Sequence, residues 1–186
     1  MNGNQQKWRA DAAKSRLGFT LRHLVLSQIS GEVRNWRATI LIDSQDPSRS
    51  SVEAVVDAGS LDTAEPERDE HMRSEEFLNV ARFPEMHFRS RLVSPLGEGR
   101  FTVVGDLTIR DVTREVKLDL EDGGRRCDAW GTEHATFRAH GTINRQDFGL
   151  RWNQDLDTGG VVVGDKVDLA LTVEAVAEGQ RQAAVG

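Results

Sequence analysis

Apolar residues recur at every second position in several short segments of this chain, and this alternation constrains the fold more than any other feature. In residues 101–109, for example, apolar residues or glycine occupy every odd position. The same pattern recurs at residues 17–21, 38–42, 52–56, 86–88, 116–120, 135–143 and 167–173. Successive side chains of a β-strand point to opposite faces of a sheet, so these segments are typical of strands with one buried face.

One stretch, residues 66–80, departs from this alternation and has the features of a helix. Pro66 suits the first helical turn, and Glu67 and Asp69 place negative charge where the helix dipole favours it. Pro84 lies beyond the stretch and favours extended geometry at the residue before it. The chain is therefore predicted to contain one substantial helical segment between strands.

About eight strands are predicted, joined by short turns that are rich in glycine, asparagine and aspartate. No helix separates consecutive strands in the manner of a parallel sheet, so an all-β, antiparallel barrel of roughly eight strands with one short helical insertion is favoured over an open sandwich. Residues 1–7 are predicted to be a disordered N-terminus, residues 8–177 a single barrel domain, and residues 178–186 a flexible tail.

The charge and the amino-acid content argue against several classes of protein. The net charge is −6, which disfavours nucleic acid as a partner because phosphate binding depends on lysine and arginine. No segment is long and apolar enough for stable membrane insertion, and the first residues do not read as a secretory signal. The single cysteine excludes an internal disulfide. A cytoplasmic location is expected from these features.

The histidines do not have the spacing of a metal site or a catalytic centre. They are His23, His71, His87, His134 and His140. No pair follows a known zinc signature, and no cysteine and histidine cluster in the sequence. We therefore expect no metal, no cofactor and no catalytic residue set.

The apolar side chains that share one face of the strands raise the question of what fills the barrel. A barrel of about eight strands has an interior that is either filled by side chains or holds one small ligand. The residues alone leave these two alternatives open, although Gly105, Ala135 and Ala139 are small and favour space inside. The candidates for a ligand-lining face are Phe19, Leu21, Ile40, Ile42, Val56, Phe77, Met86, Phe88, Phe101, Val103, Phe137, Ile143 and Phe148.

Six segments together resemble one known family. They are RHLVLSQISG at 22–31, SLDT at 60–63, RDEHMRSEEFLNVARFPEMHF at 68–88, GDLTIRDVT at 105–113, INRQDFG at 143–149 and VGDKV at 163–167. In this order, and spread from residue 8 to about residue 175, they resemble the YceI-like proteins. Asp111 departs from the pattern, since the family usually has glycine in that turn.

The resemblance implies a lipocalin-like barrel with a long apolar tunnel and the helix near its mouth. It also implies that the protein binds, carries or sequesters a polyisoprenoid or another long-chain amphiphile. Under this interpretation His23, His71 and Arg68, which lie in the matching segments, are candidates for the mouth or for contact with a headgroup. An enzyme that acts on an isoprenoid-type lipid through a polar cluster at the tunnel is the alternative, and a homodimer is left open.

Overall fold

The computed structural model describes residues 5–23, 27–153 and 163–178. In this part of the chain it contains eleven strands, one α-helix and four short 3₁₀ turns. The strands are β1 (Gln5–Ala10), β2 (Arg16–His23), β3 (Ser27–Val33), β4 (Trp36–Asp43), β5 (Ser51–Asp57), β6 (Leu61–Asp62), β7 (Glu85–Gly97), β8 (Arg100–Ile109), β9 (Val112–Cys127), β10 (Glu133–Asn144) and β11 (Val163–Ala177). Helix α1 spans Pro66–Arg73, and the 3₁₀ turns span Ala12–Lys14, Pro47–Arg49, Ala58–Ser60 and Arg145–Phe148.

The described strands pair in antiparallel fashion and form a sheet that closes on itself. The order around the closed wall is β1-β4-β5-β7-β8-β9-β10-β11, and β11 pairs with β1 through Trp8 opposite Ala177. Strand β2 pairs with the other half of β11, β3 pairs with β2, and the short β6 pairs with β3. The predicted eight-stranded antiparallel barrel with one helical insertion is confirmed.

The two ends of the barrel are built from different elements. Hairpins β4–β5, β7–β8 and β9–β10 all turn at one end, which is referred to below as the hairpin end. The β8–β9 turn, helix α1 and the 3₁₀ turn Arg145–Phe148 lie at the other, the helix end. The barrel interior is therefore bounded by β-hairpins at one end and by helix α1 and short turns at the other.

The barrel domain begins before its predicted N-terminal boundary, and its last strand ends at Ala177. Strand β1 begins at Gln5, which lies opposite Asp43 of β4, so residues 5–7 belong to the sheet and not to a disordered terminus. Glu178 donates its backbone N–H to the carbonyl oxygen of Lys7 at 2.8 Å, and the two side chains form an ion pair at 2.8 Å. Residues 5–7 form part of a strand because they pair with β4, and their polar composition alone does not indicate this pairing. Residues 1–4 and 179–186 lie outside the described part.

Helix α1 occupies the first half of the predicted helical stretch. It begins at Pro66, with Glu67 and Asp69 in its first turn, and ends at Arg73. The helix ends because the backbone of Ser74 is extended, with ψ of 169°, and the Ser74 hydroxyl donates to the carbonyl oxygen of His71 at 2.7 Å. The rest of the stretch, to residue 80, forms hydrogen-bonded turns that fold over the helix end.

A β-bulge in β7 changes which side chains face the interior. The bulge lies between Ser90 and Leu92, so that one residue of β7 has no partner in β8. Phe88 faces inward before the bulge and Val93 faces inward after it, whereas Leu92 is 51% exposed. Two inward residues five positions apart are possible only because the bulge inserts a residue.

Buried apolar side chains form two separate clusters. The cluster at the helix end contains Leu61, Leu78, Ile109, Val116, Phe148 and Leu150. The cluster at the hairpin end contains Trp8, Ala135 and Ala175, with Ile40, Ile42, Phe137 and Ala177 packed against it. The densely packed parts of the molecule therefore lie towards the ends of the barrel and leave its middle less filled.

Candidate functional site

A cavity of about 1060 Å³ occupies the barrel interior between the two clusters. Met72 and Trp152 line it at the helix end, and Ser44 and Arg125 line it at the hairpin end. Twelve of the thirteen predicted lining residues face it: Phe19, Leu21, Ile40, Ile42, Val56, Phe77, Met86, Phe88, Phe101, Val103, Phe137 and Ile143. The volume is at the upper end of the range of about 300–1,000 Å³ that is usual for small-molecule pockets.

The accessibility of the inward side chains shows that the interior is hollow. In β11, Val167, Leu169, Leu171 and Val173 all line the cavity and are only half-buried, and the residues between them are mostly exposed. In a filled core such side chains would be fully enclosed by neighbours, because protein interiors pack as densely as organic crystals. The wall consists mainly of aliphatic and aromatic groups, so a ligand that fits it must be largely apolar.

Phe148 is the one predicted lining residue that does not face the cavity. It is 1% exposed and packs in the helix-end cluster with Leu61, Leu78 and Leu150. It ends a 3₁₀ turn, after which Gly149 adopts a left-handed conformation with φ of 76°. The alternation of strand residues does not apply to such a turn, so the direction of the Phe148 side chain could not be inferred from the pattern.

The small inward residues do not all provide space. A Cβ atom on Gly105 would lie 2.6 Å from the ring of Phe88, so this ring already fills the position. Ala135 is buried in the cluster with Trp8. The expectation that both open the interior is wrong, since larger neighbours pack over them. Ala139 does line the cavity.

Sequence reasoning missed further members of the wall that follow the same alternation. These residues are Leu17, Trp36, Ala38, Leu118, Leu120, Val167, Leu169, Leu171 and Val173. The alternation identified the strands that contain them, and applying it to the whole of each strand would have found them.

Arg68, one of the predicted mouth residues at the helix end, already has protein partners. Arg68 lines the cavity, but its guanidinium donates to the hydroxyl of Thr63 at 2.8 Å and to the carbonyl oxygen of Thr63 at 3.0 Å. His23 is the last residue of β2 and lies opposite Ser27, and its side chain is outside the described residues. A headgroup role for these residues stays a prediction.

His71 also lines the cavity, where it joins α1 to the segment that follows β10. Its Nε2 atom lies 3.2 Å from a carboxylate oxygen of Glu76, and its ring meets that of Trp152 edge-on at 4.3 Å. Because both contacts fix the ring, His71 contributes to the packing of the helix end whether or not it touches a ligand.

Arg145 is a buried cation in the cavity wall with a structural set of contacts. It is 2% exposed and ion-pairs with Asp165 at 3.3 Å. Its other acceptors are the carbonyl oxygens of Leu150 at 2.5 Å, Trp152 at 2.9 Å, Gly164 at 2.9 Å and Val163 at 3.2 Å. Burial lowers the pKa of this guanidinium, and Asp165 opposes the effect.

Arg125 is the cation that lines the hairpin end of the cavity, and sequence analysis did not identify it. The carbon at the centre of its guanidinium lies 5.3 Å from the ring centre of Trp8, which is completely buried. An irregularity in β9 places Arg125 opposite Ala135 and Asp122 opposite Phe137. In a regular strand, residues three positions apart point to opposite faces of the sheet. The irregularity allows both Asp122 and Arg125 to line the cavity.

A cluster of ionisable side chains, formed by His134, Glu174 and Asp128, lies outside the cavity wall beside the β9–β10 hairpin. The two ring nitrogens of His134 lie 3.1 Å from Glu174 and 3.2 Å from Asp128. A backbone N–H from Thr132 and the nearby His134 hold the pKa of Asp128 below its usual value. Burial tends to raise the pKa of Glu174, but Arg126 and other cations outweigh it and lower this pKa.

Two further observations limit the kinds of site in the described part of the chain. Residues 5–23, 27–153 and 163–178 contain no group of three or more histidine, cysteine, aspartate or glutamate residues that could hold a metal ion. In the same residues no helix has the length and apolar character that crossing a membrane requires.

Known proteins match this chain in both sequence and fold. The model of the YceI-like domain matches residues 8–175. A UPF0312 protein of Yersinia enterocolitica is 38% identical over 158 residues, which are 85% of this chain and 79% of that protein. A UPF0312 protein of Yersinia pestis is 36% identical over the same shares of the two chains.

Solved structures with the same fold cover most of the chain. A YCEI protein of Campylobacter jejuni is 26% identical with a TM-score of 0.73, and the match covers 86% of this chain and 90% of that one. BcnA of Burkholderia cenocepacia is 19% identical with a TM-score of 0.78, over 89% and 98% of the two chains. A polyisoprenoid binding domain from Saccharophagus degradans is 16% identical with a TM-score of 0.65, over 91% and 98%. The chain, with its closed barrel and apolar interior, belongs to the YceI-like family.

Proposed function

We propose that the protein binds a long apolar or amphiphilic chain, such as a polyisoprenoid, inside the barrel and thereby carries or sequesters it. The observation that carries this proposal is the cavity of about 1060 Å³ with an apolar wall whose side chains remain half-buried. The similar domain from Saccharophagus degradans is described as binding polyisoprenoid, which supports the same class of ligand here.

Desolvation is the source of affinity in this mechanism. Each CH₂ group that moves from water into an apolar cavity contributes about 0.8 kcal/mol, so a long hydrocarbon needs few polar contacts to bind well. A cavity that is already formed also avoids the cost of opening the core for the ligand. We also propose that the twelve predicted residues that line the cavity contact the ligand.

The alternative, an enzyme acting on the same lipid, requires an acid and a base at the cavity. Three carboxylates have a lowered pKa, Asp128, Glu174 and Glu178, and all three lie outside the wall. Arg145 is in the wall, but backbone carbonyl groups and Asp165 occupy its donors. No observation in the described residues favours chemistry over binding, so binding is the function we propose.

The test compares lipid retention by the wild-type protein and two tryptophan variants purified from the same cells. Ala139→Trp places a large ring in the cavity, whereas His140→Trp places it on the exposed outer face of the same strand. Native mass spectrometry followed by lipid extraction should show a bound apolar lipid in the wild type and in His140→Trp, and much less in Ala139→Trp. Equal retention in all three would place the ligand outside the barrel and end the proposal.

A further inference from the structure

We infer that Arg125 binds the anionic headgroup of an amphiphile whose hydrocarbon chain lies in the cavity. The ligand is therefore a carboxylate- or phosphate-bearing lipid that enters with its head at the hairpin end. This inference rests on the proposed function and adds to it the class of headgroup and the orientation of the chain.

The position of Arg125 is the first step. It lies opposite Ala135, a buried residue of β10, and it lines the apolar cavity. Its guanidinium lies over the ring of Trp8 at 5.3 Å, a cation–π contact that favours this orientation of the side chain. The cation is thus held at the cavity before any ligand binds.

The unused hydrogen-bonding capacity of Arg125 is the second step. Within the described residues its side chain makes no hydrogen bond and no ion pair, although a guanidinium has five N–H donors. The nearest carboxylate in sequence that faces the cavity is Asp122, which already accepts from the backbone N–H of Gly124 at 2.8 Å. Arg126, which follows Arg125 in the sequence, in contrast makes two hydrogen bonds of 3.0 Å to Glu174.

The two arginines that line the cavity at the helix end, Arg68 and Arg145, already have partners for their donors. Arg68 donates to Thr63, and Arg145 donates to four carbonyl oxygens and to Asp165. A headgroup there would have to displace these contacts, whereas a headgroup at Arg125 would add new ones. The difference favours the hairpin end for a charged group.

The chemistry of a guanidinium fits a carboxylate or a phosphate. Its planar donors can form two parallel hydrogen bonds to either anion, a geometry that a hydroxyl or an ester cannot match. Arg125 is exposed to solvent, so the headgroup stays hydrated while the chain loses its contact with water. This arrangement avoids the large cost of burying an unpaired charge.

The test uses oleate and oleyl alcohol, which have the same hydrocarbon chain and differ in the charge of the head. Titration calorimetry on the delipidated full chain at low salt and pH 8 should give oleate an affinity about fivefold higher than that of oleyl alcohol. The factor is modest because solvent screens an exposed ion pair. The net charge of −6 would by itself disfavour the anion, so this preference requires a local cation.

The variants separate Arg125 from general electrostatics. Arg125→Gln should remove the preference for oleate and leave the affinity for oleyl alcohol unchanged, and Arg125→Lys should restore part of it. Arg100→Gln removes the same charge from the exposed face near the same end, where Arg100 contacts Glu98, and should keep the preference. Urea unfolding midpoints equal to that of the wild type would show that all three variants fold.

Other outcomes overturn the inference in distinguishable ways. If Arg125→Gln keeps the oleate preference, or if Arg68→Gln abolishes it, the headgroup does not bind at Arg125. If inorganic phosphate at millimolar concentration displaces oleate, Arg125 is a site for free anions instead of for an amphiphile. If neither oleate nor oleyl alcohol binds, the proposed function itself fails and the inference falls with it.

Discussion

Gly105 shows how closely one residue is tied to its neighbours in the barrel wall. A Cβ atom at this position would lie 2.6 Å from the carbonyl oxygen of Arg89 and 2.6 Å from the ring of Phe88. The ring can move, but the carbonyl belongs to the adjacent strand and cannot. We therefore expect Gly105→Ala to lower the free energy of unfolding by about 1–3 kcal/mol, the usual range for overpacking, as measured by urea denaturation.

A glycine with a more tolerant surrounding provides the control for this prediction. At Gly59 the nearest atom to a new Cβ is a carboxylate oxygen of Asp57 at 3.2 Å, which needs only a small shift and can keep its hydrogen bond from the backbone N–H of Gly59. Gly59→Ala should change stability by less than about 1 kcal/mol, because the alanine also restricts the unfolded chain. Equal losses in the two variants would contradict the argument from close contact.

Arg145 supports the connection that precedes β11, and its removal should be costly. Arg145→Met keeps most of the side-chain volume but leaves four carbonyl oxygens without their donor. We expect a loss of about 3–5 kcal/mol in the free energy of unfolding, because each buried carbonyl oxygen that loses its donor costs about 1–3 kcal/mol. Arg151→Met, at an exposed position nearby, should have almost no effect on the same chemical denaturation curve.

Residue-level prediction succeeded where a side chain belongs to a regular strand and failed elsewhere. Phe101 and Val103 alternate in an unbroken strand, and their inward direction follows from that alone. Phe148 ends a 3₁₀ turn and Arg125 follows an irregular pairing, and neither feature has a strong signal in one sequence. The pairing of Arg145 with Asp165 has no signal in the sequence either, because Asp165 becomes its neighbour only through the fold.

The β9–β10 hairpin is the element whose anchoring should depend on pH. Asp128, in the turn of the hairpin, and Glu174, in β11, both have a lowered pKa in the folded protein, and both contact His134. A carboxylate with a lowered pKa contributes stability that is complete above its unfolded pKa of about 4. The contribution is lost as the pH falls through the folded pKa values.

Neutralising both carboxylates tests this linkage. The variant Asp128→Asn/Glu174→Gln should be less stable than the wild type at pH 7, and the difference should shrink as the pH falls from about 5 towards 2. Thermal unfolding followed by circular dichroism at several pH values measures it. Glu121→Gln, at an exposed position of β9, should show no such trend. A difference that is constant across this range would mean that the two carboxylates contribute through contacts other than charge.

Whole elements were predicted more accurately than their ends. Alternation identified the strands because their outer faces are wet and their inner faces are apolar. It gave no sign that β1 starts at Gln5, because that pairing depends on Asp43, far away in sequence. The helical stretch was also longer in the prediction than in the structure, since the extended backbone of Ser74 and its contact with His71 end α1 at Arg73.

At the scale of the whole molecule, the distribution of packing explains how a barrel of this size stays open. The buried clusters at the two ends contain its most enclosed large side chains, Trp8 and Phe148. The eight-stranded wall closes through the pairing of β1 with β11, so its hydrogen bonds hold the strands together and the middle does not need a filled core. The sequence resemblance predicted the tunnel, while the residues alone left a filled interior equally open.

A hollow interior of fixed volume makes a specific prediction about chain length. For a series of straight-chain primary alcohols, binding to the delipidated protein should strengthen with each added CH₂ by up to about fourfold, which corresponds to 0.8 kcal/mol. The gain should stop once the cavity of about 1060 Å³ is full, because further CH₂ groups remain in water. Ala139→Trp should reach its plateau at a shorter chain, and His140→Trp should follow the wild type. Titration calorimetry across the series measures both slopes and plateaus. An affinity that does not depend on chain length would show that the ligand binds the surface, and a plateau unchanged by Ala139→Trp would place the chain in another part of the protein.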